Sequence, residues 1–510
     1  MQSQNSKPTN NLYAMSLVSS KRPSLHLTPL KGWMNDPNGL WYDQSTGYYH
    51  VYYQYSPDLH WSLPITWGHA TTNDFVHWEH KQDKLLASRA GEGAFSGSVV
   101  VDKYNTSGKF DSIADDNVVS IFTLHTPDRQ TQNVTFSKCD LPLSADDSTV
   151  VLDINSKQFR DPKVFWHEET EKWIMVVART QVYEISLYSS KNLVDWKYLS
   201  GLKKHGILGY QYECPNLVKI PVSDPVAKEK IGYKWVMFVS INPGGPIGGS
   251  FVEYFVGEFN GAEFIPDTNE ARIMDHGKDF YAVQVFNNTE SEDLVLALGW
   301  ASNWQYSEMT PDYAWKNCMS IPRKLTLQAH RANDDSLEHL VLYNEPFFGN
   351  GAEKRKTTYA LHDKSITKTA PVFKFKIKWS FKPQRLARGT FTAWSIKVCA
   401  PNSESSLIIG FEACSASFFI DRGVLFNQPE NYLFNNRSTV DLVPYKIDSH
   451  GSQHFSVEGI VDRNILELFF NDGYATATNT FFFECSDFSD IHCSRNEVFD
   501  YLDMEKTEYS

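Results

Sequence analysis

The sequence has no long apolar run, no basic block and no C-x-x-C pair. None of its apolar runs reaches the about 18 residues that a membrane-spanning helix needs. The formal net charge is −13 and Lys and Arg are scattered, which argues against nucleic acid or an anionic membrane as a partner. The seven cysteines are odd in number and widely spaced, so a disulfide framework is not expected. With 510 residues, the chain is long enough for two or three domains.

Metal-binding and secretion signals are absent as well. The 16 His residues include no H-E-x-x-H motif, and His77 and His80 are interpreted as surface or strand residues. We therefore expect no metal and no cofactor. The first 24 residues contain no apolar stretch of the secretory type. The chain as given favours a cytoplasmic location, with an extracellular one as the alternative if a leader precedes it.

Aromatic residues, by contrast, are plentiful, with 14 Trp, 25 Tyr and 33 Phe. Helical periodicity is nearly absent, and short runs rich in aromatic and β-branched residues recur between turn signals. This pattern predicts an all-β protein. Examples of such runs are residues 47–54, 117–124, 171–178, 233–240 and 293–300.

The strand-like runs repeat with a period of about 60 residues. Trp173 and Trp235 occupy matching places in KWIMVV and KWVMFV, and Tyr49 lies two periods before Trp173. A second echo relates Trp78 in DFVHW to Trp196 in LVDW. A unit of this length, supplying about four strands, is typical of a β-propeller. Five units would use about the first 340 residues.

A third repeated pattern begins with a carboxylate residue in each copy. Asp36 opens DPNGLW, Asp161 opens DPKVFW and Glu213 opens ECPNLV. A single Asp-Pro is most simply a turn at the start of a strand, where proline needs no ladder N–H. Three carboxylates in register instead predict that equivalent strands of three blades bring them together near the propeller axis.

From about residue 356 the repeat ends and shorter alternating strands follow, which is typical of a β-sandwich. Asn471-Asp472-Gly473 is a hairpin signal among them. We expect a flexible N-terminal segment at 1–21, a five-bladed β-propeller at 22–345 and a C-terminal β-sandwich at 356–510.

Clustered acids in a propeller suit glycosidic bond hydrolysis. One carboxylic acid protonates the leaving oxygen, and a second carboxylate attacks the anomeric carbon or activates water. A third can bind sugar hydroxyls more strongly as positive charge develops. Aromatic residues near the first acid in sequence could line the site: Trp33, Trp41, Trp61, Trp67 and Phe95. At this level, furanose and pyranose substrates, and retention and inversion, stay open.

Three motifs resemble those of the invertase and fructanase family, glycoside hydrolase family 32. Residues 33–39, WMNDPNG, resemble its nucleophile motif. Arg160-Asp161-Pro162 resembles its transition-state motif, and Glu213-Cys214-Pro215 its acid/base motif. The likeness covers about residues 22–482. Further segments similar to the invertases of this family are 67–70, 95–98, 158–166, 209–215, 277–282, 300–306, 415–423, 464–473 and 478–482.

The resemblance implies a five-bladed propeller followed by a β-sandwich. It implies hydrolysis of the terminal β-fructofuranoside of sucrose to fructose and glucose through a covalent fructosyl-enzyme, with transfructosylation as a side activity. Asp36 would be the nucleophile, Glu213 the acid/base and Asp161 the transition-state stabiliser. Association into a homodimer or higher homo-oligomer would use the sandwich. The implied binding shell is Asn35, Gln54, Phe95, Ser96, Arg160 and Trp304, with Trp33 and Trp61 as pocket walls.

Two alternatives remain. An exo-inulinase or fructanase, releasing fructose from inulin, levan or short fructans, shares the chemistry and differs at the pocket mouth. An inactive fructoside-binding or sensor protein would be signalled by a lost acid, and all three acids are present. The chain departs from the family at Ser56, Ser62 and Asn216, where the family has Asn, Gly and Gly. The first two bear on recognition of the leaving group.

Overall fold

The computed structural model describes most of residues 21–508, so that the predicted N-terminal segment 1–21 lies outside the described residues except for Lys21. In the described part, no helix has the length and apolar character needed to cross a membrane. The positions left undescribed within that range are 88, 332, 334, 349–354, 361–364, 368–369, 384–385, 387–391, 400–404, 485–489 and 496–497.

The first part of the chain forms five antiparallel blades. The first blade contains β1 (Gly32–Asp43), β2 (Tyr48–Ser56), β3 (Thr66–Thr72) and β4 (Glu79–His80). The second contains β5 (Gly93–Val101), β6 (Asn117–His125), β7 (Gln130–Lys138) and β8 (Thr149–Ser156). The third contains β9 (Phe159–His167), β10 (Lys172–Arg179), β11 (Glu184–Ser190) and β12 (Lys197–Lys203).

The last two blades share one sheet. The fourth contains β13 (Tyr212–Ser223), β14 (Lys230–Ile241), β15 (Phe251–Phe259), β16 (Phe264–Pro266) and β17 (Arg272–Ile273). The fifth contains β18 (Tyr281–Val285), β19 (Leu296–Trp300), β21 (Arg323–His330) and β22 (His339–Pro346), with β20 (Trp315–Lys316) between β19 and β21 in the chain. A short parallel pairing of β13 with β21 joins the two blades. Single 3-10 turns lie at Ala145–Asp147, Glu168–Thr170, Thr180–Val182 and Ser307–Met309.

The first strands of the five blades form a closed ring. β1 contacts β5, and the contacts continue through β9 and β13 to β18, which contacts β1. β20, which lies between two strands of the fifth blade in the chain, pairs in parallel with β1 of the first blade and so links the last blade to the first. The predicted propeller is therefore confirmed, and the five first strands surround its axis.

The predicted repeat corresponds to the blades. Tyr49, Trp173 and Trp235 lie on β2, β10 and β14, which are the second strands of their blades. Trp78 and Trp196 directly precede the fourth strands β4 and β12. The aromatic rings recur because each blade packs its middle strands against those of the next blade.

Every innermost strand is interrupted by a bulge, where two residues lie opposite one or the register shifts. Such a bulge turns a side chain out of the regular alternation. Three bulge residues other than glycine have positive φ: Asp161 (64°), Cys214 (45°) and Ala282 (53°). The interruptions fall between Met34 and Pro37 in β1, Phe95 and Gly97 in β5, Arg160 and Lys163 in β9, Glu213 and Asn216 in β13, and Tyr281 and Gln284 in β18.

The prolines of the three acidic motifs lie at these bulges. Pro37, Pro162 and Pro215 are inside their strands rather than at the first position, so these motifs are not the strand-entry turns that a single Asp-Pro would suggest. Proline is tolerated there because the bulge already interrupts the hydrogen-bond ladder.

The C-terminal part is a β-sandwich of two sheets, as predicted. The cleft between them is filled by buried aromatic and aliphatic side chains, including Trp379, Trp394 and Phe455. One sheet contains β23 (Arg355–Ala360), β35 (Phe499–Glu508), β25 (Val372–Phe381), β31 (Gln453–Asp462), β32 (Ile465–Phe470) and β33 (Ala475–Thr480), with β30 (Lys446–Ile447) beside β31. The other contains β24 (Ser365–Thr367), β34 (Asp490–Arg495), β26 (Ala393–Cys399), β27 (Ser406–Glu412), β28 (Ser417–Asp421) and β29 (Arg437–Asp441).

The predicted hairpin lies on these strands, whereas part of the boundary between the two domains lies outside the described residues. Asn471–Gly473 forms the turn between β32 and β33. Between the end of β22 at Pro346 and the start of β23 at Arg355, residues 349–354 are not described. The division into 22–345 and 356–510 stays a prediction.

Buried ion pairs cross between the propeller and the sandwich. Arg323 of the propeller donates through Nη2 to Asp275 Oδ2 (2.8 Å) and to Glu467 Oε2 of the sandwich (3.0 Å). Arg422 of the sandwich donates through Nη1 to Asp279 Oδ2 of the propeller (2.6 Å). All five side chains are at most 1% exposed. Because a buried charge without a partner is very costly, each domain depends on the charges of the other.

His26 adds a titratable member to this interface. Its ring contacts Asp462 Oδ2 through Nδ1 (2.8 Å) and Glu467 Oε1 through Nε2 (3.1 Å). Burial alone would lower the pKa of His26, but hydrogen bonds to Asp462 and Glu467 and their charges raise it to about 9. The ring is therefore a buried imidazolium at neutral pH.

We expect the substitution His26→Gln to remove a pH-dependent part of the stability. The folded-state pKa lies above the unfolded value of 6.5, so the stabilisation is complete below pH 6.5 and is lost as the pH rises through about 9. The shift corresponds to at most roughly 3 kcal/mol. Thermal melts of both proteins at pH 6 and pH 9 should show a difference in Tm that shrinks at the higher pH. A difference independent of pH would contradict this account.

Candidate active site

A cavity of about 400 Å³ opens where the bulged strands meet. It contains the three carboxylates of the sequence motifs: Asp36 from β1, Asp161 from β9 and Glu213 from β13, in the first, third and fourth blades. The other lining residues are Asn35, Gln54, Trp61, Phe95, Ser96, His125, Gln158, Arg160, Gln211, Asn242 and Trp304.

Asp36 is held by donors on both of its oxygens. Ser96 Oγ donates to Oδ2 (2.7 Å), and Asn35 Nδ2 donates to Oδ1 (3.1 Å). The Cys214 thiol also lies 3.5 Å from Oδ2. These contacts fix the carboxylate plane and leave it directed into the cavity.

Trp33 supports this arrangement from behind. Its indole Nε1 donates to Asn35 Oδ1 (2.9 Å), which leaves the amide nitrogen of Asn35 to face Asp36. The Trp33 ring is fully buried and stacks against Trp304 at 5.8 Å. Trp33, predicted as a wall of the pocket, is thus buried behind Asn35 and is not among the residues that line the cavity.

Asp161 occupies the strained bulge position of β9. Its own N–H donates to Thr123 Oγ1 (3.1 Å), and its Oδ2 accepts the backbone N–H of Cys214 (3.2 Å). Residue 161 is 3% exposed. The left-handed backbone and the two contacts together turn the carboxylate inward.

Glu213 accepts hydrogen bonds at both oxygens. Arg160 Nη2 donates to Oε1 (2.7 Å), and the Tyr281 hydroxyl donates to Oε2 (2.6 Å). Arg160 is itself oriented by Gln158 Oε1 (2.8 Å) and Gln130 Oε1 (3.4 Å). The third, fourth and fifth blades thus cooperate to place one carboxyl group.

Packing the acids together changes their titration. Burial raises the pKa of Asp161 to about 7; Arg160 opposes the shift, and Glu213 and Asp36 reinforce it. Burial also raises the pKa of Asp36, against the hydrogen bonds from Ser96 and Asn35. Neighbouring carboxyls in a dry site cannot all ionise, so the cluster keeps a proton to near-neutral pH. Such a site can combine a charged nucleophile with a proton donor.

The mouth of the cavity is aromatic. The Phe95 ring stacks on His125 with centroids 4.5 Å apart and planes inclined by 4°. Trp61 meets Phe95 edge to face at 6.1 Å and is 38% exposed. Burial lowers the pKa of His125, as does the charge of Arg160, so its ring is neutral at neutral pH. Flat, uncharged surfaces of this kind suit the apolar faces of sugars.

The two departures near Trp61 contact each other. Ser56 Oγ and Ser62 Oγ lie 2.8 Å apart, and Ser62 donates to Asp58 Oδ2 (2.9 Å). Glu308 Oε1 accepts the backbone N–H of Trp61 (3.1 Å). The hydrogen bond between the two serines joins the ends of the loop that carries Trp61.

Asn216, which stands where the family has glycine, makes hydrogen bonds to a neighbouring strand. Its Nδ2 donates to Val283 O (2.8 Å), and its Oδ1 accepts the N–H of Val285 (3.1 Å). These hydrogen bonds link β13 to β18 across the boundary between the fourth and fifth blades.

Most of the residues implied by the resemblance lie in the cavity. Asn35, Gln54, Trp61, Phe95, Ser96, Arg160 and Trp304 line it together with the three acids, and Trp33 does not. The sequence-based prediction missed Tyr281, although it lies in the segment GKDFYA at 277–282, and Gln211, although it lies in GYQYECP at 209–215. Gln158 was missed too, although it opens the segment 158–166, whereas for His125 and Asn242 the sequence offered no signal. Of the aromatic residues near Asp36, Trp41 and Trp67 are fully buried in the core behind the site.

The three carboxylates of the cavity are hydrogen-bonded to protein groups. Each of the three acids already accepts hydrogen bonds from protein donors, and Arg160 supplies a positive charge. A larger cleft, of about 490 Å³, is lined by Lys228, Lys324 and Lys376 together with Glu345, Glu458 and Asp472, and Lys376 pairs with Asp472 there (3.4 Å).

Two family models match consecutive parts of the chain. Residues 26–342 match the glycosyl hydrolases family 32 N-terminal domain, and residues 347–505 match the family 32 C-terminal domain. Together the two matches span the propeller and the sandwich.

Known proteins with similar sequences and structures cover nearly the whole chain. Invertase 1 of Saccharomyces cerevisiae is 40% identical over 92% of this chain and 91% of its own length. An extracellular exo-inulinase of Meyerozyma guilliermondii is 40% identical over 91% and 90%. The structure of fructofuranosidase from Schwanniomyces occidentalis complexed with fructose superposes with a TM-score of 0.88, at 39% identity over 97% of this chain and 99% of that one.

We expect the stability of the Asp161→Asn variant, compared with that of the parent protein, to increase as the pH rises. The pKa of Asp161 is raised from 3.8 to about 7, so the parent loses stability as the pH rises from about 4 to beyond 7, and the variant does not. The Tm of the variant minus that of the parent should increase between pH 4.5 and pH 8.

Asp43→Asn provides the matched control on β1. Burial would raise the pKa of Asp43, but hydrogen bonds from Ser45 and Thr46 lower it. Its stabilisation is present above the unfolded pKa, so the control should be destabilised at pH 8 and less so in acid. The same pH trend in both variants would refute the electrostatic account of Asp161.

Proposed function

The chain belongs to glycoside hydrolase family 32, and on that premise we propose that it is a retaining β-fructofuranosidase of the invertase type. Its substrate in this proposal is sucrose, which it hydrolyses to fructose and glucose. The observation that carries the proposal is the convergence of Asp36, Asp161 and Glu213, from three different blades, in one cavity. Two relatives and a fructose-bound structure of similar fold support the fructosyl specificity.

The first chemical step forms a covalent intermediate. Asp36 attacks C2 of the fructosyl unit while Glu213 gives its proton to the glycosidic oxygen, and glucose leaves with that proton. Arg160 and the Tyr281 hydroxyl hold the Glu213 carboxyl in position for this transfer. Ser96 and Asn35 keep the attacking carboxylate in line.

The second step releases fructose. Glu213 takes a proton from water, the water oxygen attacks C2, and the bond between C2 and Asp36 breaks. Both carboxyl groups then regain their starting states. A sugar hydroxyl that takes the place of water gives a transfructosylation product instead.

Asp161 and Arg160 act on the sugar and on the charge of the site. As positive charge develops on the furanose ring, hydrogen bonds from its hydroxyls to Asp161 strengthen, which stabilises the transition state selectively. Arg160 contacts Glu213 directly and lies 3.7 Å from Asp161 Oδ2, so it limits the repulsion between the two acids.

A second candidate, exo-inulinase activity, is favoured by the similarity to the Meyerozyma guilliermondii enzyme, which equals that to the yeast invertase. The difference concerns only what the mouth of the cavity accepts beyond the fructosyl unit. Trp61, Phe95 and His125 form that rim, so they determine the preference in our proposal.

Product analysis with sucrose and inulin side by side tests the proposal. We expect fructose from both, with a larger kcat/KM for sucrose. Asp36→Ala should lower the turnover of both by at least about a thousandfold, because the covalent route is lost. Asp43→Asn on the same strand should retain activity. Faster turnover of inulin would favour the second candidate, and equal turnover by the Asp36→Ala variant would remove Asp36 from the chemistry.

The pH dependence of kcat/KM should be bell-shaped, with an optimum below pH 7. The rate falls in acid as Asp36 becomes protonated. It falls at higher pH as the cluster, in which burial raises the pKa of Asp161 to about 7, loses its last proton. Initial rates on sucrose between pH 3 and pH 9 measure both limbs. A rate that climbs steadily up to pH 8 is incompatible with a proton donor in the cavity.

Glu213→Gln should slow sucrose far more than an aryl β-fructofuranoside with a good leaving group. Protonation of the leaving oxygen is worth about a hundred- to ten-thousandfold, and an aryloxide needs little of it. Glu253→Gln is the matched control, because Glu253 is a buried carboxyl of the same blade outside the cavity. Equal slowing of both substrates would exclude Glu213 as the acid.

A further inference from the structure

His50, His69 and Asp140 form a cluster outside the cavity that the proposed reaction does not use. His50 lies on β2 and His69 on β3, in the first blade, and Asp140 follows β7 of the second blade. One potential ligand atom from each residue lies within 4.8 Å of the other two. His50 Nδ1 and His69 Nε2 are 3.1 Å apart, and His69 Nδ1 is 3.9 Å from Asp140 Oδ1.

The His69 ring has an unused nitrogen. Residue 69 is 2% exposed, and its Nδ1 has no hydrogen-bond partner among the residues that the structure describes. The nearest carboxylate oxygen, on Asp140, is too far for a hydrogen bond. A buried polar atom without a partner is costly, and here it faces an anionic oxygen across a short gap.

The cluster offers the donor types that bind transition metals. Each imidazole has ring nitrogens that can supply a lone pair, and Asp140 supplies carboxylate oxygens.

We propose that His50, His69 and Asp140 bind one divalent transition-metal ion through two nitrogens and one oxygen. Ligand atoms around a tetrahedral ion with bonds of 2.0–2.1 Å lie about 3.3 Å apart, and the present separations of up to 4.8 Å reach that distance through side-chain shifts of at most about 1.5 Å. Two imidazoles and a carboxylate select Cu²⁺ and Zn²⁺ over Mg²⁺ and Ca²⁺. Three protein ligands leave a further position for water.

The groups around the cluster orient the Asp140 carboxylate and also reduce the affinity for a cation. The Tyr52 hydroxyl donates to Asp140 Oδ1 (2.7 Å), and Lys84 Nζ pairs with Oδ2 (2.7 Å). These contacts fix the carboxylate, as outer-shell groups of metal sites do. The ammonium of Lys84 also repels a cation, so affinity is reduced. Ions can enter from solvent, because the Asp140 side chain is 35% exposed.

A bound ion would fasten the first blade to the second. It would lie behind the candidate active site, because Tyr52 stacks on His69 at 4.2 Å and Gln54, two residues further along β2, lines the cavity. The predicted consequence is higher thermal stability with metal.

The test is metal titration of the full-length protein after treatment with a chelator. Calorimetry with ZnCl₂ and electron paramagnetic resonance with CuCl₂ should report one ion with two nitrogen ligands. His50→Gln should weaken binding at least about tenfold and leave one nitrogen in the copper spectrum. His77→Gln, which alters an exposed His paired with Asp74, is the control and should change neither.

Lys84→Gln separates the metal site from a purely structural cluster. Removing the competing ammonium should strengthen metal binding several-fold, whereas a cluster that serves packing alone predicts no gain. Binding that is unchanged in His50→Gln, a spectrum without two nitrogen ligands, or weaker binding in Lys84→Gln would overturn the proposal. Sucrose turnover of the metal-free protein tests the proposed function independently, since no ligand of the site lines the catalytic cavity.

Discussion

An extra residue in each innermost strand of the propeller governs the rest of the site. A regular strand would alternate its side chains between two packed faces, and none would be directed into the opening at the end of the axis. The bulges of β1, β9 and β13 break that alternation at Asp36, Asp161 and Glu213, and those of β5 and β18 do so at Ser96 and beside Tyr281. The left-handed backbone at Asp161 and Cys214 is strain that the packed blades on either side maintain.

That geometry creates an electrostatic problem that the neighbouring residues solve. Three carboxyl groups in a dry cavity repel one another, and Arg160 with its two glutamine supports offsets part of that repulsion. The donors around Asp36 differ from those around Glu213, so the two groups experience different environments. Separate roles for chemically similar groups follow from such differences.

Much of the architecture could be predicted because it repeats. Trp173 and Trp235 recur at blade spacing since each blade fills the same inter-blade space, and the three acidic motifs recur since each occupies the same level of its strand. The position of Pro37 within its strand could not be predicted, because a bulge leaves no periodic trace in the sequence. His125 and Asn242 reach the cavity from strand ends and loops, whose side-chain directions depend on tertiary packing. Trp33 lies behind Asn35, because a ring close in sequence to an acid of the cavity can pack on either side of it.

The charges shared between propeller and sandwich make the C-terminal domain an obligatory partner rather than an accessory. Asp279 pairs with Arg422 of the sandwich, and Asp275 shares Arg323 with Glu467 of the sandwich. His26 contacts Glu467 and so joins the same network. Chimaeras that exchange sandwiches between related enzymes must therefore transfer Arg422, Asp462 and Glu467 as a matched set with their propeller counterparts. Recombination that respects only the boundary between domains would leave ionised groups stranded in a dry interface.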